Sequence, residues 1–136
     1  KAIEAFQDFT NTFPRSDRVQ MCNDLIDEMR EKLEDKAYYG SKLYYTTGYY
    51  ESALSAFGNM LKDFPGSENA QEVRFLMVKS AYIQADNSIY DKKEDRFLET
   101  AKLYNEYKRK YETSKYDEEL YEIFKETTKQ LQKFKV

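Results

Sequence analysis

The sequence carries one fifteen-residue pattern twice, and this repeat restricts the possible folds more than any other feature. Ala2–Ser16 and Ala53–Ser67 both read A-x-x-A-F-x-x-[FM]-x-x-x-F-P-x-S. The alanine, phenylalanine and methionine positions recur at helical spacing, so they form one apolar helix face. Phe-Pro then ends the helix, because the residue before proline is pushed out of the α region. The serine after it is suited to begin the next helix. Each copy therefore predicts a helix, a tight stop and a new helix.

The segments around these copies complete a helical reading of the chain. A weaker third copy spans Thr100–Ser114, and apolar residues from Val19 to Tyr44 keep one unbroken helical stripe. This stripe predicts a single long helix from about residue 17 to 47 that two successive repeats share. The polar segment 86–96 predicts a loop or frayed turn, and the amphipathic segment 115–136 predicts a terminal capping helix.

A second spacing pattern overlaps the repeat in the middle of the chain. It reads small-x2-Tyr-x3-Gly-x-Tyr-x2-Ala-x3-Phe-x7-Pro and is formed by Ser41, Tyr44, Gly48, Tyr50, Ala53, Phe57 and Pro65. This spacing resembles the tetratricopeptide (TPR) repeat, whose period is 34 residues. The resemblance implies an all-α, TPR-like helical solenoid of about six antiparallel helices that includes one long shared helix.

The tyrosines near this turn divide into two groups by their position in the pattern. Tyr44 and Tyr50 occupy repeat positions and are expected to pack between helices. Tyr45 and Tyr49 fall on the other side, where packing and contact with a partner chain remain equally open. Partly exposed tyrosines beside a helix array are plausible anchors for a partner protein.

The composition argues against several classes of function. The chain has no histidine, which removes His-dependent nucleophilic sites and histidine metal sites. Its four glycines are isolated, so no glycine-rich phosphate loop is present. The net charge of −3 is spread along the chain, which argues against a nucleic-acid groove. We therefore expect a protein that is not an enzyme and that uses no cofactor or metal.

The segment Asp27–Ser67 also resembles a specific family: it is similar to the C-terminal half of the BamD lipoproteins, the TPR subunits of the outer-membrane β-barrel assembly machinery. The similarity is carried by Met29–Leu33, Lys42–Tyr45 and Phe64–Ser67, and it extends over roughly residues 1–86. It implies a scaffold on the periplasmic face of the outer membrane, held by a lipid on an N-terminal cysteine outside this sequence. The implied partners are a BamA-type POTRA domain and other lipoproteins of the complex. Thr47 stands where the family commonly carries a basic residue.

These observations together predict the organisation of the chain. One TPR-like domain is expected, with the end of a repeat in 1–15, the long helix and a repeat in 16–67, a degenerate repeat in 68–114 and the capping helix in 115–136. The sequence begins in what reads as the middle of a helix, so we expect a fragment of a longer lipoprotein. The alternative is another TPR adaptor that binds a peptide or helix of a partner in the cell envelope or cytoplasm.

Overall fold

The computed structural model describes residues 2–12 and 18–135, and 83% of them are helical. The described residues form six α-helices and no strand, which confirms the all-α class. The helices are α1 (Ala2–Thr12), α2 (Val19–Thr46), α3 (Tyr50–Asp63), α4 (Ala70–Asp86), α5 (Tyr90–Lys110) and α6 (Asp117–Gln132). The predicted long helix is confirmed as α2. The first Phe-Pro stop, at residues 13 and 14, lies outside the described residues.

The chain divides into two compact units, residues 1–36 and residues 37–136, and α2 contributes to both. In the first unit, Cys22 and Ile26 of α2 are buried, one turn apart on the same helix face. Burial of Cys22 agrees with its place on the apolar stripe of the sequence. The finer division of the chain into repeat segments stays a prediction.

In the second unit, α3 packs against α4, α4 against α5 and α5 against α6, and α4 also contacts α6. The helix α4 is apolar around most of its circumference, as is typical of a helix covered on several sides. Helix α3 contributes the fully buried Ala53 and Phe57 to the same core. The main core residues are Tyr38, Ala53, Phe57, Met60, Val73, Phe75, Leu76, Val78, Tyr107, Leu120 and Ile123.

The second Phe-Pro stop acts as the sequence predicts. Helix α3 ends at Asp63, and Phe64 leaves the helical region with φ −131° and ψ 65°. Its backbone N–H still donates to the carbonyl of Met60 at 2.8 Å, which satisfies one of the last acceptors of the helix. Pro65 follows on the surface. The chain is thereby redirected into α4.

The prediction of a loop or frayed turn over residues 86–96 is wrong for most of that segment. Helix α4 continues to Asp86 and α5 begins at Tyr90, so only residues 87–89 connect the two helices. The polar side chains that suggested a loop instead satisfy the end of α4. Ser88 Oγ donates to the carbonyl of Gln84 at 2.5 Å, and Lys93 Nζ donates to the carbonyl of Asp86 at 2.9 Å.

Candidate partner-binding surface

The turn between α2 and α3 places the tyrosines of the central segment. Gly48 adopts φ +87°, the left-handed region that glycine enters without a steric penalty. Its N–H donates to the carbonyl of Tyr45 at 3.2 Å, and the N–H of Tyr49 donates to that of Tyr44 at 2.9 Å. These bonds close the end of α2 and start α3 within a few residues. As a result, the rings of Tyr45 and Tyr50 meet edge to face with centroids 5.9 Å apart.

Large apolar side chains are exposed on the side of α2 that faces away from the core. Tyr39, Leu43 and Tyr44 are exposed there, and Tyr49 follows in the turn with 64% of its surface accessible. We call these four residues the outer tyrosine surface. Tyrosine supplies a large contact area with few rotatable bonds, which is why it is common in binding surfaces. The outer tyrosine surface is therefore a candidate for contact with another protein.

The burial of Tyr44 differs from the expectation, and that of Tyr45 favours one of the two alternatives left open for it. Tyr44 is 45% exposed, so the prediction that it packs between helices is wrong. Tyr45 is partly buried against the core, with Lys79 Nζ 5.9 Å from its ring centroid. Tyr45 lies two helical turns after the buried Tyr38, and α4 covers that side of α2. Ser41 lies between them on the same side.

The three candidate contact residues therefore differ in what they present to solvent. Tyr49 presents most of its ring, whereas Tyr45 presents only part of its side chain. Thr47 is exposed, and its hydroxyl donates to the carbonyl of Leu43 at 2.7 Å. The same carbonyl also accepts the backbone N–H of Thr47 at 3.0 Å. Contact of Tyr45, Thr47 and Tyr49 with a partner remains a prediction, and its geometry favours Tyr49.

The other repeat positions line the helix contacts next to this turn. Ser41 is buried and donates to the carbonyl of Ala37 at 2.7 Å, so its hydroxyl is satisfied within α2. Ala53 and Phe57 are fully buried, and Tyr50 is half-buried. Burial of Ala53 and Phe57 in the core anchors α3, the helix that follows the turn.

A polar network joins α2 to α4 on the side opposite to the outer tyrosine surface. The hydroxyl of Tyr38 donates to a carboxylate oxygen of Glu72, and Lys42 Nζ lies 3.1 Å from the second carboxylate oxygen. Lys42 Nζ also donates to the Tyr38 hydroxyl at 3.1 Å. Burial disfavours the Glu72 carboxylate, but the hydrogen bonds from Tyr38 and Lys42 outweigh it and lower the pKa of Glu72. Burial, followed by the Glu72 bond, raises the pKa of Tyr38.

The sequence contains a signal for this network that lies outside the repeat motifs. Tyr38 and Glu72 are 34 residues apart, which equals the TPR period. The same spacing separates Tyr45 from Lys79, and the lysine amine lies over the tyrosine ring. An alignment of the sequence with itself at an offset of 34 residues places Tyr38 opposite Glu72 and Tyr45 opposite Lys79.

The contacts continue from α4 to α6. The rings of Phe75 and Tyr116 stack with centroids 4.2 Å apart and planes inclined by 11°. Lys79 Nζ lies 2.6 Å from a carboxylate oxygen of Glu119, and this hydrogen bond raises the pKa of Lys79. One face of α4 thus contacts both α2 and α6 through hydrogen bonds and ion pairs. These contacts join the three helices of the second unit.

Metal sites and membrane spans are both missing from the part of the chain that the structure describes. Within residues 2–12 and 18–135, there is no group of three or more His, Cys, Asp or Glu side chains placed to hold a metal ion. Across the same ranges, every helix falls short of the length and apolar character that a bilayer crossing requires.

Comparison with known proteins gives the family of the chain. The model of the family described as YfiO, outer membrane lipoprotein, matches residues 1–80. The matched region is more than half of the 136 residues and includes α1, α2 and α3 with the turn that carries Tyr49. No curated protein sequence showed significant similarity to the chain. The match confirms the resemblance to the BamD lipoproteins at the level of the family. The chain therefore belongs to the YfiO family of outer membrane lipoproteins.

Proposed function

We propose that this protein is a non-catalytic scaffold subunit of the complex that assembles and inserts outer-membrane β-barrel proteins. In this role it binds a BamA-type POTRA domain on the periplasmic side of the outer membrane. The observation that carries the proposal is the family match over residues 1–80. The full-length protein is held at the membrane by an N-terminal lipid, and other lipoproteins of the complex are further partners.

The outer tyrosine surface supports a protein partner for this scaffold. Binding energy in protein interfaces is concentrated in a few residues, and tyrosine is enriched among them. Tyr44 and Tyr49 are exposed and lie next to each other through the backbone bond that closes the turn. Because both are attached to a turn fixed by Gly48 and a buried helix contact, they lose little freedom when a partner binds.

The contacts among the helices of the second unit are consistent with a rigid platform for a partner. Helix α4 is joined to α2 by Tyr38, Lys42 and Glu72. It is joined to α6 by the Lys79–Glu119 ion pair, and Phe75 stacks on Tyr116, the residue before α6. Satisfied polar networks of this kind fix the relative placement of packed helices. A platform that keeps its shape can hold a partner in a defined position, which is what an assembly scaffold must do.

A binding measurement between the 136-residue chain and the purified POTRA domains of a BamA protein tests the proposal. We expect binding at micromolar concentration, and we expect the double variant Tyr44→Ala, Tyr49→Ala to weaken it by about 10-fold or more. The matched control is Tyr121→Ala, which removes another exposed tyrosine, from α6 (57% exposed). The control should bind as the unchanged chain does, and thermal unfolding should be unaltered in all variants.

The proposal fails if the unchanged chain shows no binding at tens of micromolar, about the weakest affinity useful to a stable complex. If the unchanged chain binds but the Tyr44→Ala, Tyr49→Ala double variant and the Tyr121→Ala control lose binding equally, the scaffold role stands and the outer tyrosine surface is not the contact site.

A further inference from the structure

A cleft of the second unit lies beside the outer tyrosine surface, where the ends of three helices meet. It is bounded by the turn after α2, the beginning of α3, the end of α4 and one residue of α5. We call it the Arg96 cleft. Its lining residues are Gly48, Tyr49, Tyr50, Glu51, Ser52, Gln84, Asn87 and Arg96.

The guanidinium of Arg96 is held in place at this cleft by a short relay of hydrogen bonds. Arg96 Nη1 donates to Ser88 Oγ at 2.5 Å, and Ser88 Oγ donates to the carbonyl of Gln84 at 2.5 Å. The carbonyl belongs to the last turn of α4, so the arginine is positioned by the helix end. Both Ser88 and Arg96 come from the polar segment 86–96, which the family resemblance does not account for.

Arg96 has no acidic partner within ion-pair distance among the residues that the structure describes. The described ion pairs involve Lys32, Lys42, Lys79, Lys108 and Lys125. A guanidinium has five N–H donors in a planar fork that fits a carboxylate, and a single bond to Ser88 uses few of them. A half-buried arginine of this kind is complementary to an acidic group from outside the chain.

We infer that the Arg96 cleft binds an aspartate or glutamate side chain from an acidic segment of a protein partner. Arg96 contacts the carboxylate, the side-chain amides of Gln84 and Asn87 donate to it, and the ring of Tyr49 covers the adjoining apolar atoms. The inference deepens the proposed function and rests on it, since Tyr49 belongs to both surfaces. It also assigns a role to the segment 86–96, which positions a charge.

The lining of the cleft includes one carboxylate, that of Glu51, whose charge should oppose the binding of an acidic side chain. Glu51 is exposed at the beginning of α3 and would repel an incoming acidic side chain. Neutralising Glu51 should therefore strengthen binding, whereas neutralising Arg96 should weaken it. A general attraction between the peptide and surface lysines would not depend on these two positions in particular.

Titration of the isotope-labelled chain with a short peptide, followed by NMR, tests the inference directly. The probe is a capped peptide in which aspartate alternates with glycine, and its control replaces every aspartate by asparagine. We expect saturable shifts of the Arg96 side-chain N–H and of the Gln84 and Asn87 amides with the aspartate peptide only.

The variants then separate a built site from a diffuse charge effect. Arg96→Gln should weaken binding by about 5-fold or more, whereas Arg109→Gln on the same helix should change it less than about 2-fold. Glu51→Gln should tighten binding. If Arg96→Gln lowers the melting temperature, the variant Arg96→Lys is used in its place, because lysine keeps the charge and lacks the planar fork of donors. The Arg96→Lys variant should still bind the peptide more weakly than the unchanged chain does.

Equal shifts with the asparagine peptide, or equal losses in Arg96→Gln and Arg109→Gln, overturn the inference. The POTRA measurement keeps this failure separate from that of the proposed function. Peptide binding without POTRA binding supports the cleft and rejects the scaffold role. POTRA binding without peptide binding rejects the cleft and retains the scaffold role.

Discussion

The hydroxyl of Tyr38 in α2 donates a hydrogen bond to the carboxylate of Glu72 in α4, 34 residues later in the chain. Lys42 completes the contact from one turn further along α2, with its amine 3.1 Å from the other carboxylate oxygen. The three groups satisfy one another at the edge of the core. They join two helices that are neighbours in space and one repeat apart in sequence.

The Tyr38–Glu72 bond should be measurable as a coupling energy. Hydrogen bonds to charged groups contribute more than neutral ones, so a double-mutant cycle of Tyr38→Phe and Glu72→Gln should give about 1–2 kcal/mol. Chemical unfolding of the four proteins provides the values. The control cycle uses Lys125 and Glu122, whose exposed pair should give less than about 0.5 kcal/mol. A coupling at Tyr38 and Glu72 no larger than in the control would contradict the prediction.

The same contact should make stability depend on pH in the acidic range. The pKa of Glu72 is lowered from its ordinary value of 4.5 in the folded protein. The folded state therefore binds fewer protons there than the unfolded state, so the stabilisation is complete above that value and is lost as the pH falls through the folded-state pKa. The stability difference between the unchanged chain and Glu72→Gln should shrink as the pH falls below about 4.5. Urea unfolding at several pH values measures it, and a constant difference would refute the assignment.

The core position Phe57 should be far more sensitive than an exposed apolar residue. Phe57 is fully buried in α3, so Phe57→Ala should lower the free energy of unfolding by about 3–5 kcal/mol. Leu98 in α5 is 51% exposed, and Leu98→Ala should change it by less than about 0.5 kcal/mol. Thermal or urea unfolding compares the two. Similar losses at both positions would mean that the packing of α3 is not as described.

Two glycines of the central segment should respond to alanine with opposite signs. Gly48 has φ +87° and open space around it, so the cost of Gly48→Ala is that of the backbone, about 1–2 kcal/mol. Gly40 lies inside α2 with no atom near the position of an added Cβ. Gly40→Ala should therefore stabilise the protein by about 0.5–1 kcal/mol. Melting temperatures should move in opposite directions, and a shared direction would contradict the assigned conformations.

Local sequence signals were sufficient wherever the cause is local. The Phe64–Pro65 pair ends α3 because proline restricts the residue before it, whatever the surroundings. The apolar stripe from Val19 to Tyr44 predicted one long helix, and α2 runs from Val19 to Thr46. Ala53 and Phe57 lie one turn apart on the face that the repeat marked as apolar, and both are fully buried.

The sequence by itself determined the all-α class, the long helix α2, the end of α3 and the resemblance to the family, because periodicity and proline act within a few residues and motif spacing is contained in the chain. Only the tertiary structure decided which side of each helix is covered. Tyr44 is the last residue of the apolar stripe and Tyr45 follows it, and the position of α4 partly buries Tyr45 and leaves Tyr44 exposed. Likewise, segment 86–96 has the composition of a loop, yet Ser88 takes up a fixed position because the end of α4 offers it the carbonyl of Gln84, and Arg96 binds the hydroxyl of Ser88 in turn.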